Sequence, residues 1–274
     1  MNPYFIGSPA LISFSGGRTS AFMLCQILDA HGGALPDDVV VAFANTGKER
    51  EETLRFVHEC GSRWGVRVHW LERADEGGFV EVGFNSASRE GEPFAALIAK
   101  RKFTPNAVTR FCTSELKVRV MRDFCLSLGW ERWSNVVGLR YDEGLRVMKM
   151  LARNDTAKER WTSLMPMAKA KHTKRDVLAF WAEQDFDLGL RDYEGNCDLC
   201  FLKSRGKLEQ IIRDEPSRAE WWSRMETGPG KGRFVTEYSY ADLAKNVARS
   251  PALPGILDDE EYDVECGLTC VGDD

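Results

Sequence analysis

Short apolar runs, each closed by a polar turn and followed by a helical repeat, constrain this chain more than any other feature. Residues 10–13 read as a strand, 20–31 as a helix, and 38–44, with Val39-Val40-Val41 inside it, as a buried strand. A helix over 51–64 and a strand over 66–71 continue the alternation, and a helix at 115–128 and a strand at 134–139 extend it. Strands that are apolar throughout are covered on both faces, and strands that alternate with helices run parallel. The expected fold class is therefore α/β: a doubly wound, mostly parallel sheet with helices on both faces. In such sheets ligands sit beyond the carboxyl ends of the strands.

The first strand delivers Ser13-Phe14-Ser15-Gly16-Gly17-Arg18-Thr19-Ser20 to that end. Glycines let the backbone approach an anion, N–H groups point at it, and the helix N-terminus adds partial positive charge. The hydroxyls of Ser13, Ser15, Thr19 and Ser20, with Arg18, surround the glycine pair, so the turn reads as a phosphate cradle. The second strand ends in Asn45-Thr46-Gly47, with Glu52-Thr53 close behind. That triplet contacts a ribose or phosphate, or simply turns the chain and caps a helix. The strand at 134–139 leads into Gly138-Leu139-Arg140-Tyr141-Asp142-Glu143, with Arg146 behind it. Two arginines beside carboxylates clamp phosphate oxygens, or form a solvated ion-pair cluster.

The chain has 274 residues and a net charge of -5, so its overall balance points to neither a basic nucleic-acid surface nor an acidic tail. No run reaches the ~18 apolar residues of a membrane span. Met1-Asn2-Pro3-Tyr4 lacks a signal-peptide pattern, which makes a cytoplasmic location the default expectation. Residues 77–93 form a Gly/Ser/Glu-rich stretch expected as a mobile flap. The second half is less regular, with helices over 173–184 (Thr173 as N-cap), 204–213, 217–226 and 240–247. Residues 1–190 are expected as a nucleotide-binding α/β domain. Residues 191–274 are expected as a helical, cysteine-bearing C-terminal region, with an arm over 251–274, packed on the same domain.

Eight cysteines in a reducing compartment do not imply a disulfide framework. Cys25, Cys60 and Cys125 fall in helical patterns and read as small buried apolar residues. Cys112, Cys197, Cys200, Cys266 and Cys270 fall in loop-like or terminal contexts. Cys197-Asp198-Leu199-Cys200 is a CxxC unit that can deliver two thiolates to one metal centre, with Cys112 as a distant third. An iron–sulfur cluster, a zinc ion, a redox pair and no metal at all remain open from the residues alone. The four histidines lack metal spacing, and the tryptophans read as core.

Together these motifs resemble one superfamily. The Ser-Gly-Gly-x-x-Ser turn, Thr46-Gly47 with Glu52-Thr53, and Gly138-Leu139-Arg140 with Glu143 and Arg146 occur in its order. Pro166 followed by Thr173-Lys174-Arg175-Asp176-Val177 completes the pattern over about residues 10–200. The chain is similar to the adenine-nucleotide α-hydrolase-like (PP-loop) proteins, and within them to the phosphoadenosine phosphosulfate (PAPS) reductase family. PP-loop ATP pyrophosphatases usually carry Asp where Thr19 stands here, and many reductases have diverged more from the Gly-Gly turn.

The resemblance implies an adenine-nucleotide site made by Ser13, Ser15, Gly16, Gly17, Arg18, Thr19, Ser20, Asn45, Thr46, Gly47, Gly138, Arg140 and Arg146. It further implies a [4Fe–4S] cluster on Cys112, Cys197 and Cys200, since related reductases pair a Cys motif preceding a Lys with a later CxxC; Thr113 replaces the second member of that pair. Cys270 or Cys266 would supply a fourth ligand, or one iron would stay open. Glu265-Cys266-Gly267-Leu268 resembles the reductases' terminal Glu-Cys-Gly-Leu-His, with Thr269 in place of His. That likeness assigns Cys266 as the nucleophile that attacks the sulfate sulfur of PAPS or adenylyl sulfate, with thioredoxin or glutaredoxin then releasing sulfite. The alternative enzyme adenylates a nucleic acid with ATP and Mg2+ and inserts sulfur. A non-enzymatic nucleotide- or redox-sensing module is the third reading, and a homodimer is a compatible assembly.

Overall fold

A computed structural model of the protein describes residues 2–228 and 231–250. Its centre is a six-stranded sheet built from β1 (Ala10–Ser13), β2 (Val39–Ala44), β3 (Val68–Arg73), β4 (Phe79–Val82), β5 (Trp133–Val136) and β6 (Trp161–Leu164). Their order is β4-β3-β2-β1-β5-β6, and every pairing is parallel except β3 with the edge strand β4. The chain winds outward from β1 to one edge and then returns to place β5 on the other side of β1. That reversal creates a switch point between the carboxyl ends of β1 and β5, where a doubly wound sheet opens a crevice.

Alternate residues of the central strands enter different cores, which shows helices on both faces. Ala10, Ile12, Val41 and Phe43 pack with α1 (Arg18–Ala30), α2 (Glu51–Arg63) and α8 (Lys174–Ala182). Leu11, Ala42, Ala44 and Leu71 pack with α5 (Arg119–Ser127) and α6 (Gly144–Asp155). Each fully buried aliphatic side chain contributes about 1.5–3 kcal/mol, so this double coverage explains why the strands are apolar throughout. α8 starts with a capping box in which Thr173 and Asp176 satisfy each other's exposed backbone donors.

The helix expected over 115–128 begins earlier and is not uniform. It opens as α4 (Phe111–Thr113), widens into a π turn at Ser114–Val118, and continues as α5. The expected flap at 77–93 contains β4 and is tied down. The backbone and hydroxyl of Ser88 both donate to Glu72 at 2.7 Å, and Arg89 Nε reaches Glu51 at 2.8 Å. Helices α3 (Glu92–Arg101) and α7 (Pro166–Lys169) complete the first part.

The C-terminal helices are α9 (Arg205–Asp214), α10 (Arg218–Thr227) and α11 (Tyr240–Arg249). They enclose Trp222, Phe234 and Tyr240, and share this third core with Phe94, Leu97 and Ile98 of α3 and with Phe111 and Leu116. Glu226 is buried among them and accepts from the backbone N–H of Phe234 and Tyr240 at 3.1 and 2.8 Å. Burial nevertheless pushes its carboxyl above the usual range.

Candidate functional site

The glycine turn lies at the switch point. Gly16 has φ +80°, and a Cβ there would meet Thr53 Cγ2 at 2.7 Å and Val57 Cγ2 at 2.9 Å, so only glycine fits. Gly17 is the N-cap of α1, with no side chain to satisfy the helix's first donors. Among the described residues, the N–H groups of Ser15, Gly16 and Gly17 find no hydrogen-bond acceptor. Three successive unsatisfied donors at a helix N-terminus form an anion cradle. Gly138 lets the β5 loop press against it, since a Cβ there would lie 3.3 Å from Ser20 Cα.

The hydroxyls around the turn divide into two roles. Ser15 Oγ donates to Ser20 Oγ at 2.9 Å, and Ser20 Oγ donates to the Gly17 carbonyl at 3.0 Å, so these two serines shape the cradle itself. Ser13 Oγ instead donates to Asn135 at 2.7 Å, inside the sheet between β1 and β5. Thr19 is buried, and its hydroxyl accepts from Arg140 Nη1 at 3.3 Å.

Arg140 is 4% exposed, with Nε on Asp142 at 3.0 Å, while Arg146 pairs with Glu143. The Arg140 guanidinium also lies 3.7 Å from Glu143, so two carboxylates face it. Arg18 pairs with Asp187, and its hydrogen bond holds that carboxyl below the usual range. Beside the turn a cleft of about 240 Å³ opens, with Arg18, Thr19, Arg140, Lys174, Lys203 and Lys207 in its wall.

Polar groups of the 45–50 segment are hydrogen-bonded within the protein. Asn45 is fully buried, donates to Glu72 at 2.6 Å and to the Ser88 carbonyl at 2.9 Å, and accepts from Gly47 N–H at 3.1 Å. Thr46 donates twice to Glu49 Oε2, at 2.7 Å from its backbone and 2.8 Å from its hydroxyl. Glu49 Oε1 lies 3.4 Å from Lys117 Nζ in the π turn. Gly47 has φ +77° and passes so close to Gly91 that a Cβ would lie 3.0 Å from its Cα.

This segment is zipped to the CxxC loop. Glu49 and Cys197 form an isolated antiparallel bridge, Arg50 N–H donates to the Asn196 carbonyl at 2.8 Å, and Asp198 N–H donates to the Lys48 carbonyl at 2.8 Å. Side chains reinforce the pairing. Arg50 reaches Glu194 at 2.6 Å, and Asp198 is buried between Lys48 at 3.4 Å and Arg218 at 3.0 Å. Burial pulls Arg218 down, but Asp198 and Glu215 outweigh it and hold its guanidinium above the usual range. Asn196 Nδ2 donates to the Ser15 carbonyl at 3.0 Å and so joins the CxxC loop to the glycine turn.

Lys48, Glu49, Glu194 and Asn196 belong to no motif in the sequence, whereas Lys117 follows the Cys112 motif and Asp198 lies within the CxxC unit. Those two positions are the available signals.

The cysteines also divide. Burial pushes Cys25 up to about 11 and Cys125 up to about 12, and raises Cys60 further, which leaves these thiols protonated and inert. Cys112, in the first turn of α4, and Cys197 pack against the third core, which also contains Leu199 between the CxxC cysteines. Among the described residues, however, no group of three or more His, Cys, Asp or Glu side chains could hold a metal ion. Cys112, Cys197 and Cys200 are not gathered into one such group among the described residues. Cys266 and Cys270, expected as nucleophile and ligand, lie outside the described residues. Among the described residues no helix is long and apolar enough to cross a membrane.

Comparison with protein-family models finds no match. The chain is 28% identical over 228 residues to an uncharacterized nin region protein of Escherichia phage lambda, covering 80% of this chain and 74% of that protein. It is 24% identical over 230 residues to an uncharacterized protein of Methanocaldococcus jannaschii, covering 80% of this chain but only 42% of that longer one. Among solved structures, a U34-tRNA thiolase of Methanococcus maripaludis with its [4Fe–4S] cluster aligns with 94% of this chain and 79% of its own. The TM-score of that alignment is 0.42 and the identity 11%.

Proposed function

We propose that this chain is an ATP pyrophosphatase-type enzyme that adenylates an oxygen of a nucleic-acid substrate in preparation for sulfur transfer. The observation that carries the reading is the row of unsatisfied N–H donors at Ser15, Gly16 and Gly17, set at the switch point beside the buried Arg140. Such a cradle stabilises the charge that grows on pyrophosphate as the α–β bond of ATP breaks. The acceptor oxygen takes the AMP moiety, pyrophosphate leaves, and AMP departs when a sulfur nucleophile attacks. Mg2+ accompanies ATP as part of the substrate. The intact Gly16-Gly17 pair, with Gly16 in a conformation that admits no side chain, favours this chemistry.

A second reading, sulfonucleotide reduction, is favoured by one specific feature, the Glu265-Cys266-Gly267-Leu268 sequence. There the Cys266 thiolate attacks the sulfate sulfur, the nucleoside phosphate leaves, and a dithiol reductant of the thioredoxin or glutaredoxin type frees sulfite. One assay separates the two. The full chain is incubated anaerobically with ATP, Mg2+, sodium sulfide and mixed tRNA or DNA, and in parallel with adenylyl sulfate or PAPS plus thioredoxin. Pyrophosphate and AMP from ATP, without sulfite from either sulfonucleotide, is the expected result. Sulfite formation that disappears in Cys266→Ser would replace the first reading with the second.

A further inference from the structure

Asn196 connects the two parts of the site. It is buried at 7% exposure, immediately precedes Cys197, and its own carbonyl is fixed by Arg50 N–H. Its side-chain amide donates to the Ser15 carbonyl at 3.0 Å, and no other donor among the described residues reaches that oxygen. The Ser15 oxygen and the Gly16 N–H belong to one planar trans peptide, so they point in opposite directions. A group that grips the oxygen therefore aims the Gly16 N–H, one of the donors that has no acceptor. A carbonyl that accepts a hydrogen bond also polarises its peptide and strengthens the N–H as a donor.

The other end of this lever is the CxxC backbone. Asn196 cannot shift without moving Cys197, because the Glu49 bridge and the Arg50 hydrogen bond hold that stretch in register. We propose that Asn196 is a positioning residue that couples anion occupancy of the glycine turn to the chemical reactivity of Cys197. The identity of the physiological anion rests on the nucleotide reading above, whereas the coupling needs only an anion on the Gly16 N–H. The coupling acts in both directions, so modification of Cys197 is expected to change anion affinity, while equality of the two factors applies to equilibrium affinities and not to the alkylation rate.

The test uses the full chain and its Asn196→Ala and Asn196→Asp variants. Aspartate keeps the size of the side chain but, once ionised, has no hydrogen to donate to Ser15. Inorganic pyrophosphate and ATP are titrated by calorimetry. Cys197 alkylation by iodoacetamide is followed by peptide mass spectrometry with and without saturating pyrophosphate, and melting curves establish that each variant is folded.

In the unsubstituted chain, pyrophosphate is expected to change the Cys197 rate about fivefold or more, within the usual range of site-to-site coupling. In the folded variants the ratio is expected to fall to about one, with weaker pyrophosphate binding. An unchanged Cys197 rate in the unsubstituted chain, or the same ratio in a folded variant, overturns the coupling. If neither variant folds, the unsubstituted chain alkylated at Cys197 decides, because unaltered pyrophosphate affinity there overturns it equally. Pyrophosphate binding without ATP binding leaves the coupling standing and removes the nucleotide reading; binding of neither overturns both.

Discussion

Gly16 illustrates how much a single position decides. Its left-handed conformation alone costs a side-chain-bearing residue about 1–2 kcal/mol, and the Thr53 and Val57 methyl groups leave no space for a Cβ. Gly16→Ala is expected to lower stability by at least about that amount and to abolish pyrophosphate binding, as measured by thermal melting and calorimetry. A second residue-scale prediction concerns Asp187. The Arg18 hydrogen bond holds its carboxyl below the usual range in the folded state, so the pair stabilises the protein above the unfolded carboxylate pKa, about 3.9. That stability is lost as pH falls through the depressed folded value. Because the pair is partly exposed, Asp187→Asn is expected to cost about 1 kcal/mol or less at pH 7. The gap between the two proteins should close in melting curves recorded toward pH 2.

At the scale of elements, the sequence pattern located the central strands because continuous apolar runs have few alternatives. Ala10–Ser13 and Val39–Ala44 are strands, and the helices after them start within two residues of expectation. The pattern missed β4 because Phe79–Val82 is half exposed and sits in a Gly/Glu-rich stretch without apolar continuity. It missed α6 because its exposed face carries Leu145, Met148 and Leu151, which blurs the helical alternation of polar and apolar positions. The phosphate turn was legible as a motif, since its chemistry is local.

The Lys48-Asp198-Arg218 cluster was not legible, because its members come from three separate segments that only the fold brings together. Asp198→Asn removes the charge that both cations face and is expected to cost about 3 kcal/mol, the low end for a broken buried pair, because Arg218 keeps Glu215. Urea denaturation measures the loss. A variant as stable as the parent would show that the CxxC loop is held by its backbone pairing alone.

For the molecule as a whole, the third core matters most. It draws Phe94, Leu97, Ile98, Phe111 and Leu116 from the first part of the chain against Trp222, Phe234 and Tyr240 from the last. A fragment of residues 1–190 would expose all five of those apolar side chains. It is expected to aggregate or to melt without a cooperative transition, as judged by size-exclusion chromatography and calorimetry, whereas the full chain should unfold in one step. A soluble, cooperatively melting fragment would establish that the first part folds alone.

The contacts that fasten the glycine turn reach far along the chain. Ser15 is joined to Asn196 across 181 residues, Arg18 to Asp187 across 169, and the Arg18 carbonyl to Trp181 across 163. During synthesis the turn leaves the ribosome early, yet the groups that fix its peptide planes emerge much later. A nascent chain therefore carries the glycine sequence through the synthesis of the 181 residues that separate Ser15 from Asn196 without a finished cradle. Competence to hold an anion arrives abruptly, once the loop around residue 196 has been made and closes back on the first strand.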